Sequence, residues 1–493
     1  MFIILLLILF ILLVSLFTIF AYRYVKVRMN PKVPTITNAL SIFKLGIFNL
    51  DFKELLRQII LMGEETNQNG GVMKFMFGPV AIYVVSSAED ASTVLTRCLE
   101  KSFVYALIKP YVGSELVAAS VPTWKKNRRI LDLTFKQNVV DSYMDIFSRQ
   151  GKRVAEELTT VTDNYTDIFS ILIKNTSNTV CQTTLGIKVD EEAIEKYAKS
   201  ADRVFGIMTD RFRQPWLLSD TIFNWSALKK EQDEAMRIIS SMSEEMIKLK
   251  KAEYLKKIKN KNIENNVSDA TFKSCLDIMI ESTVSENYQS ITDAQLKHLI
   301  DNVMFAGFDT AALNILFTLL CIGTYPEIQD KIYEELKNVI TDEDITTDDL
   351  RRLPYLDAVM KETIRLYPVG TVIGRSSTED IQLENHVIPR GCEVMVHLWA
   401  LNRNKLYWGE DANEFVPERW LNTDVPTHPA AYASFSPGRR NCIGKAYGLI
   451  MMKTFLAQIL KKFKITADVR RVQFEFMILL KPCSGHALKL ELR

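Results

Sequence analysis

The chain has 493 residues, long enough for one large core or for two or three domains. Its 61 basic residues are balanced by 59 acidic ones, and a net charge of +2 argues against a nucleic-acid partner. Seven cysteines lack C-x-x-C spacing and five histidines lack H-x-x-x-H spacing, which argues against a zinc site or disulfide framework and fits a reducing compartment.

Phe2 to Tyr22 is almost entirely Leu, Ile, Phe and Val, with Ser15 and Thr18 as polar interruptions. As a helix it would extend about 31 Å, the thickness of a bilayer's hydrocarbon core. A cleaved signal peptide is the alternative, but the apolar run is too long and no charge precedes it. Arg23, Lys26, Arg28 and Lys32 follow, so the positive-inside rule puts the remainder in the cytosol. Residues 2–22 therefore read as a transmembrane anchor. Residues 23–36, with Pro31 and Pro34, read as a hinge to a body spanning 37–493. Asn164, Asn175, Asn224 and Asn266 match Asn-x-Ser/Thr and are expected to stay unglycosylated, because the body never enters the lumen.

Val72 to Phe77 and Ala81 to Val85 flank Gly78-Pro79 and predict a β-hairpin. Helical patterning dominates from Ala88, interrupted by an irregular stretch from Lys101 to Pro122 that suits a pocket wall or lid. Trp124 and Arg128, spaced i, i+4, project from one helical face. Lys125, Lys126 and Arg129 beside them form either a docking patch for an acidic partner or a plain solvated face. Met208 to Asp220 carries Pro215-Trp216-Leu217-Leu218, apolar enough to line an entrance or touch a membrane. Lys248 to Lys261 reads as a solvated helix end and loop.

Leu296 to Leu320 is a long apolar helix that nevertheless contains Ala306-Gly307-Phe308-Asp309-Thr310. A glycine and an acid are locally costly there. Small residues at 306 and 307 predict a local break in the helix, with Thr310 and Asp309 available for hydrogen bonding and proton transfer. A capping threonine and a satisfied buried aspartate are the plain alternative. Tyr325-Pro326 opens the next helix. Leu353 to Tyr367 follows, with Glu362 and Arg365 on one side at i, i+3; Pro417-Glu418-Arg419-Trp420 brings a second arginine. Val369 to Arg375 passes from helix into strand, Glu393 to Leu398 is strand-like, and a last hairpin is expected around Ser484-Gly485.

Phe435 to Gly444 reads Phe-Ser-Pro-Gly-Arg-Arg-Asn-Cys-Ile-Gly, directly before a helix with apolar residues at Leu449, Met452, Phe455, Leu456, Ile459 and Leu460. Cys442 is thereby placed at a helix N-terminus, where free N–H groups and the dipole favour a thiolate. Gly438 and Gly444 are expected to let the backbone turn and approach something flat. Arg440 can reach an anion, and Phe435 can pack over the sulfur. Phe435, Gly438, Arg440, Cys442 and Gly444 together resemble the haem-binding loop of the cytochrome P-450 superfamily, the haem-thiolate monooxygenases. Trp-x-x-x-Arg, Ala-Gly-x-Asp-Thr, Glu-x-x-Arg and Pro-Glu-Arg-Trp occur in that family's order, and their wording is most similar to the family-four branch of animal microsomal members.

The resemblance implies a mainly α fold with a smaller β-sheet portion, enclosing haem b (iron protoporphyrin IX) bound through Cys442. It implies that Trp124, Arg128 and Arg375 serve the haem propionates, and that Glu362, Arg365 and Arg419 interlock as a structural brace. Thr310 and Asp309 would activate O₂. Family-four members often carry Glu where Ala306 stands, and in some that Glu esterifies the porphyrin; Ala306 implies non-covalent haem. Met304, Phe305, Val369, Val372, Ile373, Met477 and Ile478 are the expected substrate contacts. The implied reaction inserts one atom of O₂ into a lipophilic molecule such as a fatty acid, hydrocarbon, hormone or xenobiotic. Electrons would come from NADPH through cytochrome P-450 reductase, with cytochrome b5 as an accessory donor, at the cytosolic face of the endoplasmic reticulum membrane. A peroxide-rearranging isomerase and a haem-based sensor are the competing readings; the retained Thr/Asp pair weighs against both.

Overall fold

The computed structural model describes residues 2–28, 30–37, 51–77, 80–187, 189–261, 272–284, 291–342, 344–421 and 426–493. The apolar N-terminal run is a single helix, α1 (Phe2–Arg28), which continues past Tyr22. Phe10, Leu16 and Phe17 on it are exposed. The second half of the expected hinge is docked rather than loose. Ile36 N–H donates to Lys74 O at 2.9 Å, and Lys74 N–H donates to Pro34 O at 3.0 Å. Proline lacks a donor but keeps its carbonyl, so it can serve at a sheet edge. Val33 and Ile36 are buried, which makes residues 30–37 part of the body.

Helix α2 (Phe52–Gln68) starts where Asp51 accepts from Glu54 N. The β-rich sequences that follow pair as predicted: β1 (Val72–Phe77) and β2 (Val80–Val85) are antiparallel with Phe77 opposite Val80. Gly78 and Pro79 lie outside the described residues. Strands β3 (Glu100–Lys101), β4 (Ile373–Ser376) and β5 (Glu393–Val396) extend this to a five-stranded sheet in the order β1-β2-β5-β4-β3. Sheet register sets Lys101 opposite Arg375.

The helical body contains α3 (Val121–Thr134), α4 (Met144–Glu157), α5 (Phe169–Leu185), α6 (Glu191–Arg213), α7 (Ala227–Lys261), α8 (Asp293–Thr324), α9 (Pro354–Leu366) and α10 (Lys445–Lys462). Thr292 and Gln295 form a capping box that starts α8. This helix is apolar all round and long enough to cross a membrane, yet 83% of its most apolar window is buried, so it is the core of the domain. Its close approach to α5 needs Gly307, where a Cβ would lie 3.1 Å from Val180 Cγ2. Asn175 on α5 is buried and donates to Glu157 and Ile171, so glycosylation there is sterically closed in the folded chain. Asn266 lies outside the described residues.

The C-terminal sheet corrects one expectation. Strands β6 (Phe463–Thr466), β7 (Gln473–Met477), β8 (Leu479–Ser484) and β9 (Lys489–Leu492) form two antiparallel pairs, β7 with β8 and β6 with β9. The tight turn lies at Ile478, between Met477 and Leu479, and not at Ser484-Gly485, which leads on to β9. Phe476 and Leu480 are cross-strand partners and both buried, and that apolar pairing sets the register. Ile478 is left at φ 61, a costly setting for a β-branched residue.

Candidate active site

The loop before α10 is built from backbone constraints. Cys442 N–H donates to Phe435 O at 2.9 Å, and Ser436 N–H donates to Ala433 O at 2.7 Å. Gly438 has φ 90, and a Cβ there would lie 2.6 Å from the Leu95 carbonyl oxygen. Ser436, at φ 59, shares the left-handed backbone of this turn. Gly444 has φ −84, and a Cβ on it would meet nothing closer than Phe135 at 4.0 Å, so the expected turning role at 444 is corrected. Gly444 is instead the N-cap of α10, and its N–H bonds to the Cys442 sulfur. Cys442 is exposed on the cavity, yet desolvation by the chain packed around it pushes the thiol up, while that N–H, Arg128 and Lys445 pull it down.

Cys442 opens on a cavity of about 390 Å³, mostly apolar, whose opposite wall is α8. Ala306, Gly307 and Thr310 line it from that helix. The predicted break is absent: α8 is continuous through these residues, and the Thr310 hydroxyl donates to Ala306 O at 2.8 Å. Small side chains open this face without interrupting the ladder, because Gly307 is already used in packing on Val180.

Asp309 points elsewhere. It is buried and lines neither this cavity nor the second one, and Lys481 Nζ lies 2.9 Å from its Oδ2. Burial raises its pKa, opposed by Lys481.

Trp124, Arg128 and Arg440 line the cavity on the side of α3. Arg440 is stacked 4.5 Å from the Trp124 ring centroid and donates to Leu116 O and Ala119 O. Arg128 is held by Asp132 Oδ1 at 2.7 Å and by both oxygens of Asn441 at 2.9 and 3.0 Å. In this geometry Arg128 clamps the cysteine loop. Lys101 also lines the cavity. Its cross-strand neighbour Arg375 is buried beside it but off the cavity wall.

Two like charges facing each other across a sheet are unfavourable, and Arg440 adds a third. Burial drives the Lys101 pKa well down, reinforced by Arg375 and Arg440. The Nε groups of Arg375 and Arg440 have no hydrogen-bond partner. Cations so arranged fit a ligand that carries carboxylates at one edge. A thiol on the same cavity and a largely apolar lining fit the remainder of an iron porphyrin.

The brace is fully formed. Glu362 and Arg365 are both 0% exposed. Arg365 donates to Glu362 at 2.7 and 2.8 Å; Arg419 Nε, Trp420 Nε1 and Val416 N–H also donate to the Glu362 carboxylate. Arg365 further donates to the carbonyls of Asn402, Ala412 and Glu414. Asn402 transmits this to the cysteine loop: its amide donates to Arg365 O and to Ser434 Oγ, which donates to Ile364 O.

Val369 and Ile373 line the main cavity. Val372 and Ile478 instead line a second apolar cavity of about 230 Å³, walled by Phe77 and Phe212. Successive residues of the extended chain point to opposite sides, so 372 and 373 part there. Met304, Phe305 and Met477 line neither cavity, contrary to expectation. Phe305 packs on Phe205 and Tyr111 inside the core, Met304 is buried in the same cluster, and Met477 lies toward Gly206 of α6. Lys101, Asn402 and Asn441 were not legible in sequence, since each is a lone polar residue in an unpatterned stretch.

Comparison with known proteins agrees with this geometry. The family model Cytochrome P450 matches residues 47–489. Probable cytochrome P450 4p3 of Drosophila melanogaster is 29% identical over 402 residues, covering 79% of this chain and 77% of that protein. Cytochrome P450 4V2 of Homo sapiens is 27% identical over 484 residues, covering 94% and 90%. A thiol loop, a cationic edge and a small-residue wall around one cavity, within a mainly α fold matched over nearly its whole length, place this chain in the cytochrome P450 family.

Proposed function

We propose that this protein is a membrane-bound monooxygenase that takes electrons from NADPH through a reductase and inserts one oxygen atom of O₂ into a lipophilic substrate. The observation that carries the reading is that Cys442 and a cationic edge with unfilled donors face one apolar cavity. Haem bound there supplies the iron chemistry that reduces O₂ and cleaves its O–O bond. Cys442 would hold the iron as a thiolate, its charge stabilised by the Gly444 N–H. Lys101 and Arg440 would hold the carboxylate edge, with Arg375 beside them. Ala306 has no carboxyl to form an ester, so the porphyrin is held without a covalent bond.

Thr310 lines the cavity, and its hydroxyl, which donates to Ala306 O, would be the group that holds or passes a proton at that wall, with the buried Asp309 beside it in sequence. Val303, Val369 and Ile373 exclude water and accept an apolar substrate. Lys125, Lys126, Arg129, Arg439 and Lys445 are exposed around the cysteine loop, a surface suited to an acidic reductase or cytochrome b5. Helix α1 anchors the enzyme in the endoplasmic reticulum membrane with the body in the cytosol. Trp216, Ile222 and Trp225, all exposed, add a second contact with the lipid surface.

The test is a reconstitution. Purified protein, reductase and NADPH should give oxygenated product from a lipophile that shifts the haem spin state, and the reduced carbonyl complex should show the red-shifted Soret band of thiolate ligation. Cys442→Ser should abolish that band. A wild-type spectrum lacking it, or NADPH use that never yields product across a broad lipid and xenobiotic set, would sink the proposal.

A further inference from the structure

Three elements meet at one buried ammonium. Lys481, on β8, is 4% exposed. Its Nζ lies 2.9 Å from Asp309 Oδ2 on α8, within hydrogen-bonding reach of Asp202 Oδ1 on α6 at 2.5 Å, and 5.3 Å from the Phe205 ring centroid. Asp202 is half exposed, whereas Asp309 is sealed and its Oδ1 has no hydrogen-bond partner. Glu475 is the cross-strand neighbour of Lys481 and the other carboxylate facing the group from this hairpin. Arg203, next to Asp202, is tied to Asp210 and Glu231 instead. One lysine therefore compensates the acid adjacent in sequence to Thr310 and joins it to the exposed middle of a helix packed over the core.

We propose that Lys481 is a positioning residue for oxygen activation: it keeps Asp309 ionised and oriented, and through Asp202 it ties the same ammonium to α6. The proposal rests on the proton-relay reading of Asp309 and Thr310. A buried carboxylate deprived of the one cation paired with it among the described residues takes up a proton rather than remain charged. With Lys481 absent, Asp309 becomes a neutral acid and loses the contact that fixes its direction.

The experiment compares Lys481→Met, Lys481→Arg, Asp202→Asn and Asp309→Asn in the haem-loaded enzyme. Infrared difference spectra of Lys481→Met should show a new protonated-carboxyl band that is missing in Lys481→Met/Asp309→Asn; this readout does not depend on turnover. Product formed per NADPH should fall roughly tenfold in Lys481→Met, less than the roughly 10²–10⁴-fold contribution of a direct acid–base group because Lys481 acts through Asp309, and recover in Lys481→Arg. Asp202→Asn should leave the carboxyl band absent but speed hydrogen exchange in α6. No carboxyl band in Lys481→Met, or one that persists with Asn at 309, overturns the clasp. If the band appears while Asp309→Asn leaves coupling unchanged, the clasp stands as a structural fact and the relay reading fails, and with it the proposed role in oxygen activation.

Discussion

Glu362→Gln tests the brace most directly. Five donors converge on this carboxylate: Arg365 Nε and Nη2, Arg419 Nε, Trp420 Nε1 and Val416 N–H. Glutamine has one carbonyl oxygen and an NH₂ group that only donates. If the amide nitrogen takes the Oε2 position, Arg365 Nε and Trp420 Nε1 face another donor; if it takes Oε1, Arg365 Nη2, Val416 N–H and Arg419 Nε do. Two or three buried donors are orphaned in either case, and two buried guanidinium groups lose their shared anion. Breaking a buried ion pair from one side costs about 3–5 kcal/mol. That is a large part of a net stability of roughly 5–15 kcal/mol.

The expected result is a much lower urea midpoint and a fall in haem retained per mole of protein, since Asn402 and Ser434 connect the brace to the cysteine loop. Far-ultraviolet circular dichroism with haem absorbance across the titration reads both. A change within about 1 kcal/mol, with normal haem content, would refute the reasoning, because that is the worth of an ordinary hydrogen bond.

Gly438→Ala and Gly444→Ala form a contrasting pair. The first forces alanine to φ 90 against the Leu95 carbonyl and should cost about 1–3 kcal/mol for the backbone alone, while the second meets no backbone obstacle; thermal midpoints of the two variants distinguish them. Stability should also fall on mild acidification through His397, which burial holds down to about 4 against an ordinary value near 6.5. Its Nε2 bonds to Ile59 O and its Nδ1 accepts from Ala400 N–H, so the folded protein resists the second proton that the unfolded chain accepts. The contribution is intact above pH 6.5 and is lost as pH falls toward 4, by roughly 3 kcal/mol in total. Denaturation midpoints across that window for wild type and His397→Gln provide the measurement. Thr310→Ala should raise hydrogen peroxide released per NADPH at the expense of product; unchanged coupling would remove Thr310 from the proposed relay.

Much of this protein is settled by local sequence. Alternation and β-branched content specify β1 and β2, apolar character on every face marks α8 as the core helix, and a left-handed turn at Gly438 follows from a residue without a Cβ. The cysteine loop was readable because its parts are close in the chain and each has a strict backbone or charge requirement. Tertiary structure decided what depends on distant partners. Sequence alone put Arg128 near the site but not its engagement by Asp132 and Asn441 at the cavity wall, and it left Asp309 free to line the site, whereas Lys481 draws it toward α6. Lys101 became part of the site only through a register opposite Arg375, and Met304 and Phe305 left the pocket because α8 turns them into the core. Periodicity tells which side chains share a face; only packing determines what that face meets.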